Sequence, residues 1–155
     1  MPFEILTHET IYRGSAFDIC RDQVRFPDQH TMHLDIIQHV GAVTLLPLDE
    51  DGCVLFVRQY RHAAGKVLLE LPAGTLEPGE PPEDCAHREM REETGMAAGK
   101  LLKIGEFFLA PGYSTEYMHV FLATDLRSDP LPADQDEFLT LEPVPLEQAY
   151  VMALN

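Results

Sequence analysis

Residues 74–96 read GTLEPGEPPEDCAHREMREETGM, and this stretch decides the fold. The two prolines and two acids at 81–84 favour the start of a helix, because proline fits the first turn and acids face the positive end of the helix dipole. Gly95 is typical of the residue that ends a helix in the left-handed conformation. The stretch therefore predicts a helix over residues 82–94, with a Gly- and Pro-rich loop before it.

The acidic side chains of this helix are expected beside its apolar face. At about 100° per residue, Met90 projects about 40° from Ala86, and this pair marks the side that packs on a sheet. Glu93 projects only about 20° from Ala86, and Glu89 and Glu92 follow at about 60° and about 120°. Carboxylates gathered beside an apolar face repel one another unless a cation compensates. Oxygen ligands of this kind favour Mg²⁺, with Mn²⁺ as the alternative, over zinc.

Arg88 lies four residues before Glu92, so its guanidinium can pair with that carboxylate and hold it in position. The competing interpretation is an ordinary solvated helix that is stabilised by such ion pairs on its surface. The helix taken alone does not decide between a metal site and a solvated face.

The surrounding pattern favours the metal site. Together with Gly74, Glu80 and Gly95, the run REMREE at 88–93, in which every position except Arg91 is specified, gives eight specified positions within 22 residues. This pattern resembles a complete Nudix box. The resemblance implies an α/β fold, the Nudix fold, in which a mixed β-sheet is sandwiched between helices and the box presents Mg²⁺ to a diphosphate linkage.

The resemblance also assigns roles to residues of the box. It implies metal ligation by the Ala73 carbonyl, Glu89, Glu92 and Glu93, and a supporting role for Gly74, Glu80 and Gly95. Arg88 joins the catalytic set as the group that positions a carboxylate. The general base stays open between Glu93 and Glu137, which lies in the acidic loop before the last strand.

Two further segments resemble ADP-ribose pyrophosphatases, namely VRQYR at 57–61 and ELPAG at 70–74. Pro111, sixteen positions after Gly95, matches a marker of that subfamily. The resemblance implies hydrolysis of ADP-ribose to AMP and ribose 5-phosphate. The candidate substrate-binding residues are Arg58, Tyr60, Arg61, Pro111, Tyr113 and Glu116. A strand-end salt bridge is the alternative for the arginines, and an ordinary turn is the alternative for Pro111.

The rest of the sequence predicts mainly strands. An N-terminal antiparallel meander is expected over residues 10–13, 17–24 and 32–37, and a hairpin over 42–48 and 54–57. Further strands are expected over 101–108, 118–123 and 138–144, followed by a helix from 145 that the end of the sequence cuts short. Residues 1–155 are expected to form a single domain, with N-terminal strands at 1–38 and the core at 39–155.

Composition narrows the function classes. The 26 acidic residues outnumber 11 lysines and arginines, giving a net charge of −15, which argues against nucleic acid and acidic membranes as partners. Three cysteines without a CxxC pair suggest buried thiols. The chain has neither a signal peptide pattern nor a membrane-spanning apolar run, so a cytoplasmic protein is expected. The resemblance implies a homodimer formed through the N-terminal strands and a nucleotide-sugar substrate.

Alternatives to ADP-ribose remain. Another nucleotide sugar, a dinucleotide or NADH would use the same box, which does not specify the leaving group. A nucleotide-binding regulator without catalysis is the alternative from a different class, although no glutamate of the box is missing.

Overall fold

The computed structural model describes residues 3–132 and 138–154. The elements in chain order are β1 (Glu4–Arg13), β2 (Asp18–Arg25), β3 (Thr31–Gln38), β4 (Ala42–Pro47), β5 (Cys53–Arg61), a 3₁₀ turn (His62–Ala64), β6 (Lys66–Glu70), β7 (Ala73–Thr75), α1 (Pro82–Glu93), β8 (Met96–Phe108), β9 (Tyr117–Ser128), β10 (Leu139–Pro145) and α2 (Leu146–Ala153). The expected α/β fold is confirmed. Within the described ranges, no helix is both long enough and apolar enough to span a membrane.

The chain forms two compact units, the first comprising Met1–Gly41 with Phe107–Met118 and the second Ala42–Glu106 with His119–Asn155. In the first unit, β1, β2 and β3 form an antiparallel sheet in that order, which confirms the predicted meander. Arg21 on β2 holds Asp35 on β3 through two hydrogen bonds of 2.7 and 2.8 Å. Cross-strand charge pairs of this kind help to fix the register.

The second unit contains two sheets, one with the order β7-β4-β9-β8 and the other with the order β10-β5-β6. The predicted hairpin of β4 and β5 is wrong, because the two strands share only the bridge Leu48↔Val54 and then enter different sheets. Val43 and Val54 are fully buried. A two-stranded hairpin would leave the outer backbone edges of such buried strands unpaired, whereas separate sheets give each strand a partner on both sides.

Helix α1 packs on β4 and completes the main core of the second unit. The core consists of Val43, Leu45, Cys85, Ala86, Met90, Ala98, Phe121 and Ala123. Ala86 and Met90 are both fully buried, so the predicted apolar side of α1 is confirmed. Because this face of α1 is buried, the acidic side chains at its edge lie beside the loop between β7 and α1.

The two ends of α1 follow the predicted signals. Pro81 is the extended residue that precedes the helix and Pro82 is its first helical residue. At the other end, Thr94 is the C-cap, with its backbone N–H donating to the Met90 carbonyl, and Gly95 has a φ of 71°. The predicted bounds of 82–94 therefore differ from the observed helix by one residue.

Replacing Gly95 with alanine is expected to lower the free energy of unfolding by about 1 kcal/mol, because a side chain disfavours the left-handed backbone conformation at this position. Urea denaturation followed by circular dichroism measures the change. Gly112→Ala is the matched control, because φ at Gly112 is not in the left-handed region and a Cβ there has no neighbour within 4 Å. Equal destabilisation of the two variants would contradict the role of Gly95 as the helix terminator.

Candidate active site

Strand β7 holds the loop backbone close to α1. It pairs antiparallel with β4, with Thr44 opposite Ala73 and Val43 opposite Gly74. A Cβ at Gly74 would lie 1.8 Å from both Cδ and Oε1 of Glu89, far inside van der Waals contact. A side chain at position 74 would therefore have to displace the buried carboxylate of Glu89 from the space that it now occupies.

Arg88 joins three carboxylates of the loop and the helix. Its Nε and Nη2 donate to the two carboxylate oxygens of Glu80, each at 2.9 Å. Its Nη1 donates to Glu89 at 2.6 Å and to Glu92 at 2.9 Å. The predicted pairing of Arg88 with Glu92 is confirmed, and a single cation offsets negative charge that would otherwise accumulate on this flank of α1.

Glu80 serves as the anchor of the loop. Besides its two bonds from Arg88, it accepts a hydrogen bond of 2.9 Å from the backbone N–H of Glu77. The Arg88 hydrogen bonds, with a smaller contribution from the Glu77 N–H, lower the pKa of the Glu80 carboxyl to about 2. The same contact with Glu80 is the largest cause that raises the pKa of Arg88. Both groups are therefore charged at neutral pH, and the loop is bonded to the helix through them.

The other carboxylates lie where helical periodicity places them. Glu89 and Glu93 are each only 7% exposed, which confirms that two acids of α1 flank its buried seam. The carboxylate of Glu93 accepts a hydrogen bond of 2.9 Å from the backbone N–H of Ala73. Glu93 therefore joins the last turn of α1 to the loop, as Arg88 does one turn earlier.

The arrangement suits a hard divalent ion in its chemistry. Glu89, Glu92 and Glu93 offer only oxygen donors, and the absence of a side chain at Gly74 admits the Glu89 carboxylate against the loop backbone. In the described residues, however, no three His, Cys, Asp or Glu side chains converge into a set able to hold a metal. Two of these carboxylates are turned toward Nη1 of Arg88 instead. The metal-ligand roles of Ala73, Glu89, Glu92 and Glu93 stay predictions.

Cys85 lies beneath the Arg88 cluster but is not a nucleophile. Its thiol is fully buried and lies 3.3 Å from Nη2 of Arg88. Burial raises the pKa of this thiol to about 12, so it is protonated at neutral pH. The three cysteines are free, and the expectation of buried thiols is confirmed for Cys20 and Cys85, whereas Cys53 is only half-buried.

The structure places the candidate substrate-binding residues Arg58, Arg61 and Tyr60 on β5. Arg58 forms an ion pair with Glu142 of β10, and Arg61 donates to Glu70 of β6 at 2.7 and 2.9 Å. These contacts match the salt-bridge alternative for both arginines, and a role in substrate binding stays a prediction. The Tyr60 side chain is 55% exposed, so its ring is open to a stacking partner.

Three further candidates for substrate binding belong to the first unit. Pro111, Tyr113 and Glu116 belong to the loop between β8 and β9, in the first unit. The backbone N–H of Ile37 on β3 donates to the Tyr113 carbonyl at 2.8 Å, which fixes this loop to the meander. Tyr113 is 58% exposed. Glu137, the alternative base, lies outside the described residues.

Sequence reasoning missed one contact at the end of α1. Arg91 near the end of the helix donates through its Nε to the Asp129 carbonyl at 3.1 Å. The two residues are 38 positions apart, and no local pattern marks Asp129 as a partner. A charged residue on the outer face of a box helix is the only sequence signal, and it is a weak one.

Comparison with known proteins agrees with this geometry. Residues 38–155 match the NUDIX domain, which covers most of the chain and includes the whole loop and helix described above. This chain belongs to the Nudix family.

Three named proteins are similar in sequence to this Nudix protein. It is 38% identical to an ADP-ribose pyrophosphatase of Bacillus subtilis over 146 residues, 93% of this chain and 79% of the relative. It is 43% identical to an ADP-ribose pyrophosphatase of Mycobacterium tuberculosis over 126 residues, 81% of this chain but 61% of that relative. It is also 33% identical to a methanol dehydrogenase activator of Bacillus methanolicus, across 91% of this chain and 77% of the relative.

A solved structure shares the fold. A protein described as an ADP compounds hydrolase superimposes with a TM-score of 0.87 at 24% identity, covering 100% of this chain and 84% of that one. At this level of identity the likeness supports the Nudix fold and says nothing further about this chain.

The Glu80–Arg88 contact gives the fold a defined dependence on pH. Because the folded-state pKa of Glu80 lies near 2, below its ordinary value of 4.5, its contribution to stability is full above about pH 4.5 and is lost as pH falls toward 2. Glu80→Gln keeps the size of the side chain and removes its charge. We expect the variant to melt about 3–8 °C below the parent at pH 7, with a gap that narrows below pH 4.5.

Differential scanning fluorimetry between pH 7 and pH 3.5 measures this gap. Glu83→Gln, which changes an exposed acid in the first turn of the same helix, is the control and should cost less. A gap for Glu80→Gln that stays constant down to pH 3.5 would argue against a charged Glu80 in the folded protein.

Proposed function

We propose that this Nudix protein hydrolyses the pyrophosphate bond of ADP-ribose to AMP and ribose 5-phosphate in a reaction that depends on Mg²⁺, with Mn²⁺ as a substitute. The observation that carries the proposal is the Arg88-centred cluster of Glu80, Glu89 and Glu92, in which the Glu89 carboxylate lies close against the backbone at Gly74. Two relatives at 38% and 43% identity bear the name ADP-ribose pyrophosphatase, which supports this substrate.

The negative net charge of the chain opposes binding of an anionic substrate, and a metal ion would offset that charge. A protein with a net charge of −15 repels a diphosphate, and the proposed site adds further carboxylates. When bound, a divalent ion neutralises charge on the diphosphate and makes a water molecule a stronger acid, which are the two requirements of this hydrolysis. Glu89, Glu92, Glu93 and the Ala73 carbonyl are the groups that would hold it.

The other residues of the site would position the metal ligands, accept the proton or bind the substrate. Arg88 orients two carboxylates by donating to them, and its own position is fixed by Glu80. Glu93 or Glu137 would take the proton from the attacking water, and both remain candidates. Arg58 and Arg61 would meet phosphate or ribose only by exchanging their present carboxylate partners for the substrate, whereas Tyr60 and Tyr113 are already exposed.

Product analysis tests the proposal. The purified protein is incubated with ADP-ribose, ADP-glucose, NADH or ATP, each with Mg²⁺ or with a chelator, and the products are separated by chromatography. We expect AMP and ribose 5-phosphate from ADP-ribose, in the presence of Mg²⁺ only. Faster turnover of another of these compounds would leave the chemistry in place and overturn the substrate.

Glu93→Gln provides the matched variant for the same assay. It keeps the size of the side chain and removes its charge, so we expect turnover to fall by at least about 100-fold while the circular dichroism spectrum is unchanged. Glu83→Gln, outside the cluster, should keep the activity of the parent. Unchanged turnover in Glu93→Gln would contradict the assignment of Glu93 to the site.

A regulatory role is the second candidate, because one relative is named as an activator of another enzyme. That role predicts binding of a nucleotide without its hydrolysis. Isothermal titration with ADP-ribose, run beside the product assay, separates the two functions. Binding in the absence of any turnover would favour the regulator.

We also propose that the protein is a homodimer that associates through its N-terminal strands. Large apolar side chains on β1 are exposed, among them Ile5 at 63% and Tyr12 at 55%, and Phe3 just before the strand is 65% exposed. These exposed apolar side chains on and next to one strand are the observation that supports an interface there. Light scattering coupled to gel filtration should give twice the 17.5 kDa mass of the chain, and a monomer at micromolar concentration would refute the proposal.

A further inference from the structure

The segment that follows β9 closes the C-terminal end of α1. The backbone N–H of Asp129 donates to the Gly95 carbonyl at 3.0 Å, and the N–H of Leu131 donates to the Arg91 carbonyl at 3.1 Å. The last carbonyls of a helix have no partner within the helix itself. A segment almost 40 residues away therefore supplies donors to the end of the box helix.

The side chain of Arg91 adds further contacts between the helix and the same segment. Its Nε donates to the Asp129 carbonyl at 3.1 Å and lies 3.2 Å from Oδ2 of the same residue. Arg91 thus offers both its carbonyl and its guanidinium to one short stretch of chain. The side chains of Arg91 and Asp129 are 33% and 47% exposed, so solvent screens much of their attraction and the pair matters more for position than for stability.

The residues next to Arg91 are the ones on which the proposed site depends. Glu92 and Glu93 follow it directly in the last turn of α1. On the loop side this turn is held by the bond from Ala73 to Glu93 and the bond from Arg88 to Glu92. Arg91 of the same turn contacts Asp129 and Leu131, in addition to the packing of Met90 in the core. Rotation or fraying of the turn would move both carboxylates together.

We propose that Arg91 is a positioning residue of this Nudix site, which keeps the last turn of α1 in the orientation that presents Glu92 and Glu93 to a divalent ion. The inference rests on the proposed function for the identity of the site. Arg91 acts through the helix and does not itself touch metal or substrate.

Manganese binding tests this role without relying on turnover. Free Mn²⁺ is counted by electron paramagnetic resonance as the ion is titrated into the parent, Arg91→Ala and Asp129→Ala. We expect Arg91→Ala to weaken Mn²⁺ binding by about tenfold, the size of effect that groups supporting metal ligands typically have. Asp129→Ala should have a smaller effect, because it removes Oδ2 and keeps the backbone acceptor.

Lys100→Ala is the matched control. Lys100 forms an exposed ion pair with Asp125 at 2.8 Å, of the same kind as that of Arg91 with Asp129 but away from α1. It should leave Mn²⁺ affinity unchanged. In the hydrolysis assay, Arg91→Ala should raise the Mg²⁺ concentration needed for half-maximal rate, with little change in KM for ADP-ribose once Mg²⁺ is saturating.

The outcomes separate this inference from the proposed function. If the parent binds Mn²⁺ but does not hydrolyse ADP-ribose, the substrate fails while the titration still decides the role of Arg91. If Arg91→Ala binds Mn²⁺ as tightly as Lys100→Ala does, Arg91 is only a structural residue and the inference is overturned. If Arg91→Ala does not fold, Arg91→Met, which keeps the aliphatic stem and removes the donors to Asp129, takes its place, and parental affinity in that variant overturns the inference. No binding to the parent overturns it as well.

Discussion

The guanidinium of Arg88 is the constraint on which the rest of this site depends. Glu80, Glu89 and Glu92 all direct an oxygen toward it at 2.6–2.9 Å, although the chain as a whole is strongly acidic. Removing that cation would leave these carboxylates to repel one another beside a buried helix face. The loop and the helix therefore keep their relative position through one side chain that reaches both.

The hydrophobic core fixes the backbone elements that carry this electrostatic cluster. Met90 and Ala86 are buried against β4, and β4 in turn pairs with β7, the strand that carries the glycine loop. Helix and loop are thus both fixed to the same strand, one by apolar packing and the other by backbone hydrogen bonds. A site built in this way changes shape little when the surface around it changes, because its two halves share a single support.

Local signals predicted the helix well and the long-range contacts poorly. Proline and glycine mark the ends of α1 because they act on the backbone where they stand, and the period of 3.6 residues placed Glu89 and Glu93 beside the seam. The pairing of β7 with β4 and the assignment of β4 and β5 to different sheets depend on partners far away in the chain. The partners of Arg58, Arg61 and Arg91 are likewise set by the tertiary fold, since a charged side chain in the sequence does not reveal which of 26 acids it meets.

Glycine at position 74 gives the site an unusual sensitivity to mutation. All other residues that the genetic code offers carry a Cβ, and at this position that atom falls on the carboxylate of Glu89. Every missense change of this one codon therefore has to displace a buried carboxylate fifteen residues further along the chain. Variation at this codon would therefore change the site through packing, whereas variation at the glutamates changes it through lost charge.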